Sequence, residues 1–307
     1  MKRQLEPLDK EQKIFFNALL ETLNKELSIL PDKPCETPEN TLYTLWHLAN
    51  KTPLSSLSAA KTPLTTLAPK GQKLLQSLVT KRLQGTPLAY IAGRQNFMGL
   101  ELLSNESALI PRKETELLAE TCLEHVAEAI KTNGNATVLD LFTGSGNLPL
   151  CFKDRFPRAE VYGSDLSEKA IELARKNAEF LGLSVIFKIS DMFSAFPAEE
   201  FTSSFDIISG APPYISSTKV DKMDEEIAQH EPSLAFEAGP FGIKFFTQMI
   251  KHSPLLLKPH GKLIFEVGLG QGEGIAQRLR KNKNYDNVRM IQDIKGDIRV
   301  LEAHRIA

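Results

Sequence analysis

Apolar residues recur at helical spacing through the first part of the chain and in short runs later on. Ile14, Phe15, Ala18, Leu19, Leu23 and Leu27 predict an amphipathic helix that ends before Pro31. Pro31 to Pro38 reads as a connector, and Leu42, Leu45, Trp46 and Ala49 mark a second, short helix. Thr52-Pro53-Leu54 and Thr62-Pro63-Leu64 each place a threonine at an N-cap and a proline at the first helical position, predicting two more helix starts. Leu74, Leu75, Leu78, Val79 and Leu83 form a further helix with Gly85 as its stop. Residues 1–84 therefore read as a small all-α domain. Its histidine, His47, stands alone and is expected to be packed or solvated, not chemical.

After Gly85 the pattern changes. Phe97 to Leu103 and Ala108 to Ile110 flank Ser104-Asn105-Glu106, which predicts a β-hairpin linker over residues 85–111. Residues 112–307 open with a helix carrying Leu117, Leu118, Cys122, Leu123 and Val126, its first turn holding Glu114 and Glu116, where acids suit the helix dipole. Apolar runs then alternate with helical stretches: Thr137 to Phe142, Glu160 to Ser164, Val185 to Ile189, Asp206 to Ser209 and Lys262 to Val267. Val288 to Ile291 and Ile298 to Glu302 are expected to close the sheet as a pair of edge strands. The predicted class is α/β.

The candidate chemistry sits where these strands end. The first runs into Thr143-Gly144-Ser145-Gly146, a tight turn before a helix, where glycines let backbone approach a ligand closely. The second ends in Asp165, the position that takes ribose hydroxyls in doubly wound folds, and Ser167 caps the helix that follows. The third ends at Ser190-Asp191-Met192-Phe193, and the fourth delivers Ala211-Pro212-Pro213-Tyr214. Two prolines cannot extend a sheet ladder, so the strand stops there and leaves carbonyl acceptors beside a flat ring. Such a loop suits a planar group bearing N–H donors. In an open α/β sheet all these features lie along one edge. A dinucleotide site calls for a third glycine where this chain has Pro149, so the turn and the acids fit S-adenosylmethionine better than NAD.

Bulk properties narrow the classes. A net charge of −1 over 307 residues gives no global pull toward nucleic acid or an anionic membrane. The basic run Arg278 to Lys283 is explained by a solvated helix end. Cys35, Cys122 and Cys151 lack metal-ligand spacing, as do His230, His252, His260 and His304, so metal-free chemistry is expected. With no apolar run long enough for a span and no evident signal peptide, a soluble cytoplasmic protein is expected.

Ordered motifs along nearly the whole chain resemble the HemK/PrmC family, the glutamine methyltransferases of peptide-chain release factors. They are Gly85-Thr86-Pro87-Leu88-Ala89-Tyr90-Ile91-Ala92-Gly93, Ile110-Pro111-Arg112-Lys113-Glu114-Thr115-Glu116, Leu139 to Gly146, Asp165, and Pro212-Pro213-Tyr214. His230-Glu231-Pro232, Phe241-Gly242-Ile243, Phe265-Glu266-Val267-Gly268 with Gln271, and Gly296 with Arg299 continue the series. The resemblance implies a helical domain that recognises a protein substrate, a hairpin, and a seven-stranded Rossmann-like class I methyltransferase domain. It implies S-adenosylmethionine held by Phe142, Thr143, Gly144, Ser145, Gly146, Asp165, Asp191 and Met192. Methyl transfer would fall to Ala211, Pro212, Pro213 and Tyr214, with Arg112, Glu114, Tyr214 and Glu231 contacting the release-factor substrate.

Two positions depart from the family pattern. The first glycine of the turn is Phe142, and the asparagine of the family's Asn-Pro-Pro-Tyr loop is Ala211. In the family that asparagine and the next carbonyl hold the two amide N–H groups, so Ala211 leaves three readings open. One is the release-factor enzyme weakened at a single acceptor. Another is an N-methyltransferase of a small planar nitrogen, such as the guanidinium of free arginine, with Glu231, Glu225, Glu226 or Glu114 supplying a carboxylate. The third is a cofactor-binding pseudo-enzyme. Adenine methyltransferases of nucleic acid share the loop type but need a basic surface that this composition lacks.

Overall fold

The computed structural model describes residues 5, 8–215, 224–236 and 242–307. It divides into two compact units. One holds Met1–Glu106, Ile110–Arg112 and Asp224–Glu231; the other holds Ser107–Leu109, Lys113–Met223 and Pro232–Ala307.

In the first unit, helices span Lys10–Glu26, Pro38–Ala49, Ser56–Ala59, Pro69–Leu83 and Leu88–Ala92. Asp9 caps the first by accepting the Gln12 N–H at 2.8 Å, and Phe16 and Leu23 on its inner face are fully buried. Phe16 packs on Tyr43 and Trp46, with ring centroids 5.6 and 5.8 Å apart. His47 is buried in this core, within reach of the Thr52 hydroxyl and the Thr62 carbonyl. Neither Thr-Pro pair begins a helix. The Thr52 hydroxyl turns back to the His47 carbonyl and the Thr62 hydroxyl to the Ser58 carbonyl, so both close the preceding helix. Ser55 caps Ser56–Ala59 instead.

The hairpin belongs to this unit, and its turn differs from the expected one. β1 (Arg94–Phe97) pairs antiparallel with β2 (Leu100–Leu103) around Met98-Gly99. Both turn residues have positive φ, 50° and 89°, the twist-matched conformation that a two-residue hairpin loop requires.

Seven strands make the second unit: β3 (Thr137–Leu141), β4 (Glu160–Asp165), β5 (Ile186–Ile189), β6 (Phe205–Gly210), β7 (Leu257–Glu266), β8 (Tyr285–Gln292) and β9 (Ile298–Arg305). Their order is β5-β4-β3-β6-β7-β9-β8. Pairings from β5 through β7 are parallel, and β9 runs antiparallel to both β7 and β8. β9 is thus interior and, of the last two strands, β8 alone is an edge, as the complete burial of Val300, Leu301 and Ala303 on β9 requires. β6 is buried along its whole length. Asp206 fastens its start by accepting the Thr137 N–H and the Lys258 ammonium, each at 2.7 Å. The core joins Leu139, Ile208, Phe246, Leu263, Phe265 and Leu301.

Chain order reverses between β3 and β6, with β4 and β5 on one side and β7 on the other. Open parallel sheets bind ligands at the carboxyl ends of strands that flank such a switch point.

Candidate active site

The glycine turn begins where β3 ends. Phe142, Gly144 and Gly146 take left-handed φ values of 61°, 54° and 85°. At Gly144 an added Cβ would meet nothing within 4 Å, so this side of the turn faces open space. The Thr143 N–H donates to the Ser164 carbonyl at 2.9 Å, tying the turn to β4. Asp165 fixes it further: its Oδ2 accepts the Gly144 N–H and its Oδ1 the Ser167 N–H, both at 2.9 Å. Burial pushes the Asp165 carboxyl up, against these backbone N–H groups. Behind the turn, Asp140 Oδ1 accepts the Ser209 hydroxyl at 2.8 Å, bridging β3 and β6. Burial pushes Asp140 up to about 7, opposed by the Ser209 and Thr143 hydroxyls. Beyond β5, Asp191 is exposed and Met192 has φ 51°, its carbonyl accepting the Ser190 hydroxyl at 2.7 Å.

The acceptor loop leaves the neighbouring strand. Leu141 of β3 and Gly210 of β6 are register partners, so Phe142 and Ala211 begin the two loops side by side. The ring of Phe142 stands edge-on to Phe245, with centroids 5.2 Å apart. Its Cδ2 lies 3.4 Å from where a Gly210 Cβ would project. Pro212 and Pro213 are buried, while Ala211 and Tyr214 are partly accessible.

Tyr214 is held at both ends. Its hydroxyl is hydrogen-bonded to Arg299 and Glu266, and burial pushes the phenol up. Glu266 in turn accepts the Thr115 hydroxyl at 2.7 Å, and burial raises its carboxyl against Thr115 and Arg299. At the backbone end, the Gln271 amide donates to the Tyr214 carbonyl at 3.0 Å and to the Gly242 carbonyl at 3.3 Å, and its oxygen accepts the Gly268 N–H at 3.0 Å. Side chains are excluded here. A Cβ at Gly242 would meet the Tyr214 carbonyl oxygen at 2.4 Å, and one at Gly268 would meet the Tyr214 ring at 2.8 Å.

Residues 132–266 match a protein family described as a methyltransferase domain. The release factor glutamine methyltransferase of Thermodesulfovibrio yellowstonii is 33% identical over 228 residues, covering 74% of this chain and 79% of that protein. The protein of the same name from Chlorobaculum tepidum is 31% identical over 288 residues, 92% of this chain and 95% of that one. The chain belongs to the release factor glutamine methyltransferase family. It is an S-adenosylmethionine-dependent N-methyltransferase, with the α/β class I fold that its sequence resembles.

The residues of the methyltransferase's turn suit that donor. Gly144 is open to solvent, Asp165 closes β4 against the turn through the Gly144 N–H, and the Ser145 hydroxyl is buried without a partner among the described residues. No cluster of described residues is arranged to hold a metal, and no described helix is long and apolar enough to cross a membrane.

The remaining candidates of the methyltransferase separate. Glu114 lies in the second unit, at the N-cap of the helix Thr115–Asn133, and makes no capping bond. Arg112 and Glu231 belong to the first unit, where they bind one another at 2.6 Å. Glu231 Oε2 also accepts the Ile110 N–H at 3.1 Å, and Arg112 reaches Asp32 at 3.0 Å. Phe241 and the side chain of Glu225 lie outside the described residues. Glu266, Gln271, Arg299 and Thr115 stood in the sequence only as parts of motifs. A charged residue closing a buried apolar run, as Glu266 closes Leu263-Ile264-Phe265, is the signal that marks such a role.

Proposed function

We propose that this methyltransferase methylates the side-chain amide nitrogen of a glutamine in a peptide-chain release factor. The observation that carries the reading is the pairing of β3 with β6, which sets the glycine turn beside the Ala211–Tyr214 loop at one sheet edge. The names of relatives at 30–34% identity support the release-factor substrate, and nothing among them favours a guanidinium acceptor.

An amide nitrogen is a weak nucleophile because its lone pair is delocalised into the carbonyl. Attack requires the lone pair to face the methyl group at close range, so orientation supplies much of the rate. On this reading Phe142 to Gly146, Asp165, Asp191 and Met192 line the donor site. When bound there, S-adenosylmethionine would supply an electrophilic methyl group on a cationic sulfur, with a neutral thioether as the leaving group. The loop's carbonyls hold amide N–H groups, and the Tyr214 ring packs on the planar amide. The surplus proton on the methylated nitrogen passes to solvent, leaving a neutral secondary amide. Arg112 and Glu231, paired within the first unit, would contact the release factor.

The test is transfer of labelled methyl from S-adenosylmethionine to unmethylated release factor, with the modified residue mapped. Label on a glutamine side chain is expected. Label on free arginine alone would move the acceptor to a small molecule.

A further inference from the structure

We infer that Glu114 contacts the acceptor amide, accepting an N–H in place of the side-chain oxygen that Ala211 lacks. The inference rests on the proposed glutamine acceptor. Among the acids that the sequence offered for this task, Glu226 is committed to Lys33 and Arg82, each at 2.7 Å. Glu231 has both oxygens bound, to Arg112 and to the Ile110 N–H. Glu114 differs. Its Oε2 is buried and accepts no hydrogen bond from the described residues.

The ordinary task of an acid at this place, capping the helix Thr115–Asn133, is not performed. A buried carboxylate oxygen left unpaired is costly and persists where a donor arrives from elsewhere. The next residue, Thr115, hydrogen-bonds Glu266, and Glu266 hydrogen-bonds the Tyr214 hydroxyl. Glu114 thus stands among the charged neighbours of Tyr214 and Glu266. Glu114 and Glu266 face a single cation, Arg299, among the charged neighbours of Tyr214. That local excess of negative charge favours a ligand rich in N–H donors. A carboxylate is also a stronger acceptor than the amide oxygen it replaces.

The test compares Glu114→Ala, Ala211→Asn and the double variant on unmethylated release factor, with donor affinity by calorimetry and thermal melting alongside. Glu114→Ala, which removes the acceptor, is expected to lower kcat/KM about ten- to a hundredfold, with donor affinity kept. In the Ala211→Asn background the same change is expected to cost only a few-fold, because the restored asparagine takes the N–H. Glu114→Asp, which withdraws the carboxylate by one methylene, serves if Glu114→Ala melts early. Equal loss in both backgrounds overturns the inference and makes Glu114 structural, and so does full activity of Glu114→Ala. A wild-type chain that labels no glutamine removes the proposed acceptor itself, a different failure.

Discussion

Ala211 sits at the one position of the acceptor loop where the resembled pattern has a side-chain oxygen, and a buried hydrogen bond there contributes roughly 1–3 kcal/mol. While Glu114 holds the N–H, Ala211→Asn alone should change kcat/KM by only a few-fold, whereas in the Glu114→Ala background it should raise it about tenfold or more, read from initial rates with saturating donor. Gly242 carries the opposite expectation. With φ 65° and a Cβ path blocked by the Tyr214 carbonyl oxygen at 2.4 Å, Gly242→Ala must displace the loop. Methyl transfer should fall by more than tenfold while calorimetric donor binding persists. Phe142 shows why the resembled turn has glycine: its φ of 61° is a left-handed conformation that disfavours side chains by about 1–2 kcal/mol. Packing against Phe245 offsets part of that cost. The identities of these residues were plain in the sequence, but the convergence of Glu266, Arg299, Thr115 and Gln271 on Tyr214 was not. They are far apart in the chain, and spacing says nothing about contacts that only a folded sheet creates.

At the scale of elements, the strand ends were the legible part. Period and turn chemistry placed the glycine turn, Asp165 and the Pro-Pro loop at the ends of β3, β4 and β6, because apolar runs and prolines are local signals. The threonine caps and the hairpin turn were misread. A Thr-Pro pair can start a helix or finish one, and only the partner of its hydroxyl decides. Met98 at φ 50° is an uncommon turn residue that hid the hairpin. Asp140 within β3 also passed as part of a strand, and it carries a pH expectation. Its carboxyl stands at about 7 against an ordinary 3.8, so between those values the folded chain keeps a proton that the unfolded chain has released. The stability it contributes is full below 3.8 and is lost as pH rises through about 7. Asp140→Asn should flatten the fall of Tm over that window, as followed by thermal melting across pH.

Across the molecule, the first unit is held by a buried ionic network as well as its aromatic core. Arg82 binds Glu36 at 3.1 Å and Glu226 at 2.7 Å, and Lys33 also reaches Glu226. Burial alone would raise the Glu226 carboxyl, yet Lys33 and Arg82 hold it below its ordinary value. Removing one member of a buried pair strands the other, at about 3–5 kcal/mol. Arg82→Ala should therefore lower the denaturation midpoint sharply, whereas exposed Lys25→Ala, at the Glu21 pair, should change it by well under 1 kcal/mol. Such a network was invisible in a chain whose net charge is −1, because its members come from segments with no shared periodicity.

The most direct measurement incubates the purified chain with labelled S-adenosylmethionine and unmethylated release factor, then maps the methyl group by peptide mass spectrometry. A single methyl on the side-chain amide nitrogen of one glutamine is the predicted result. Donor binding with no label on any glutamine, or label confined to free amino acids or nucleic acid, would contradict it.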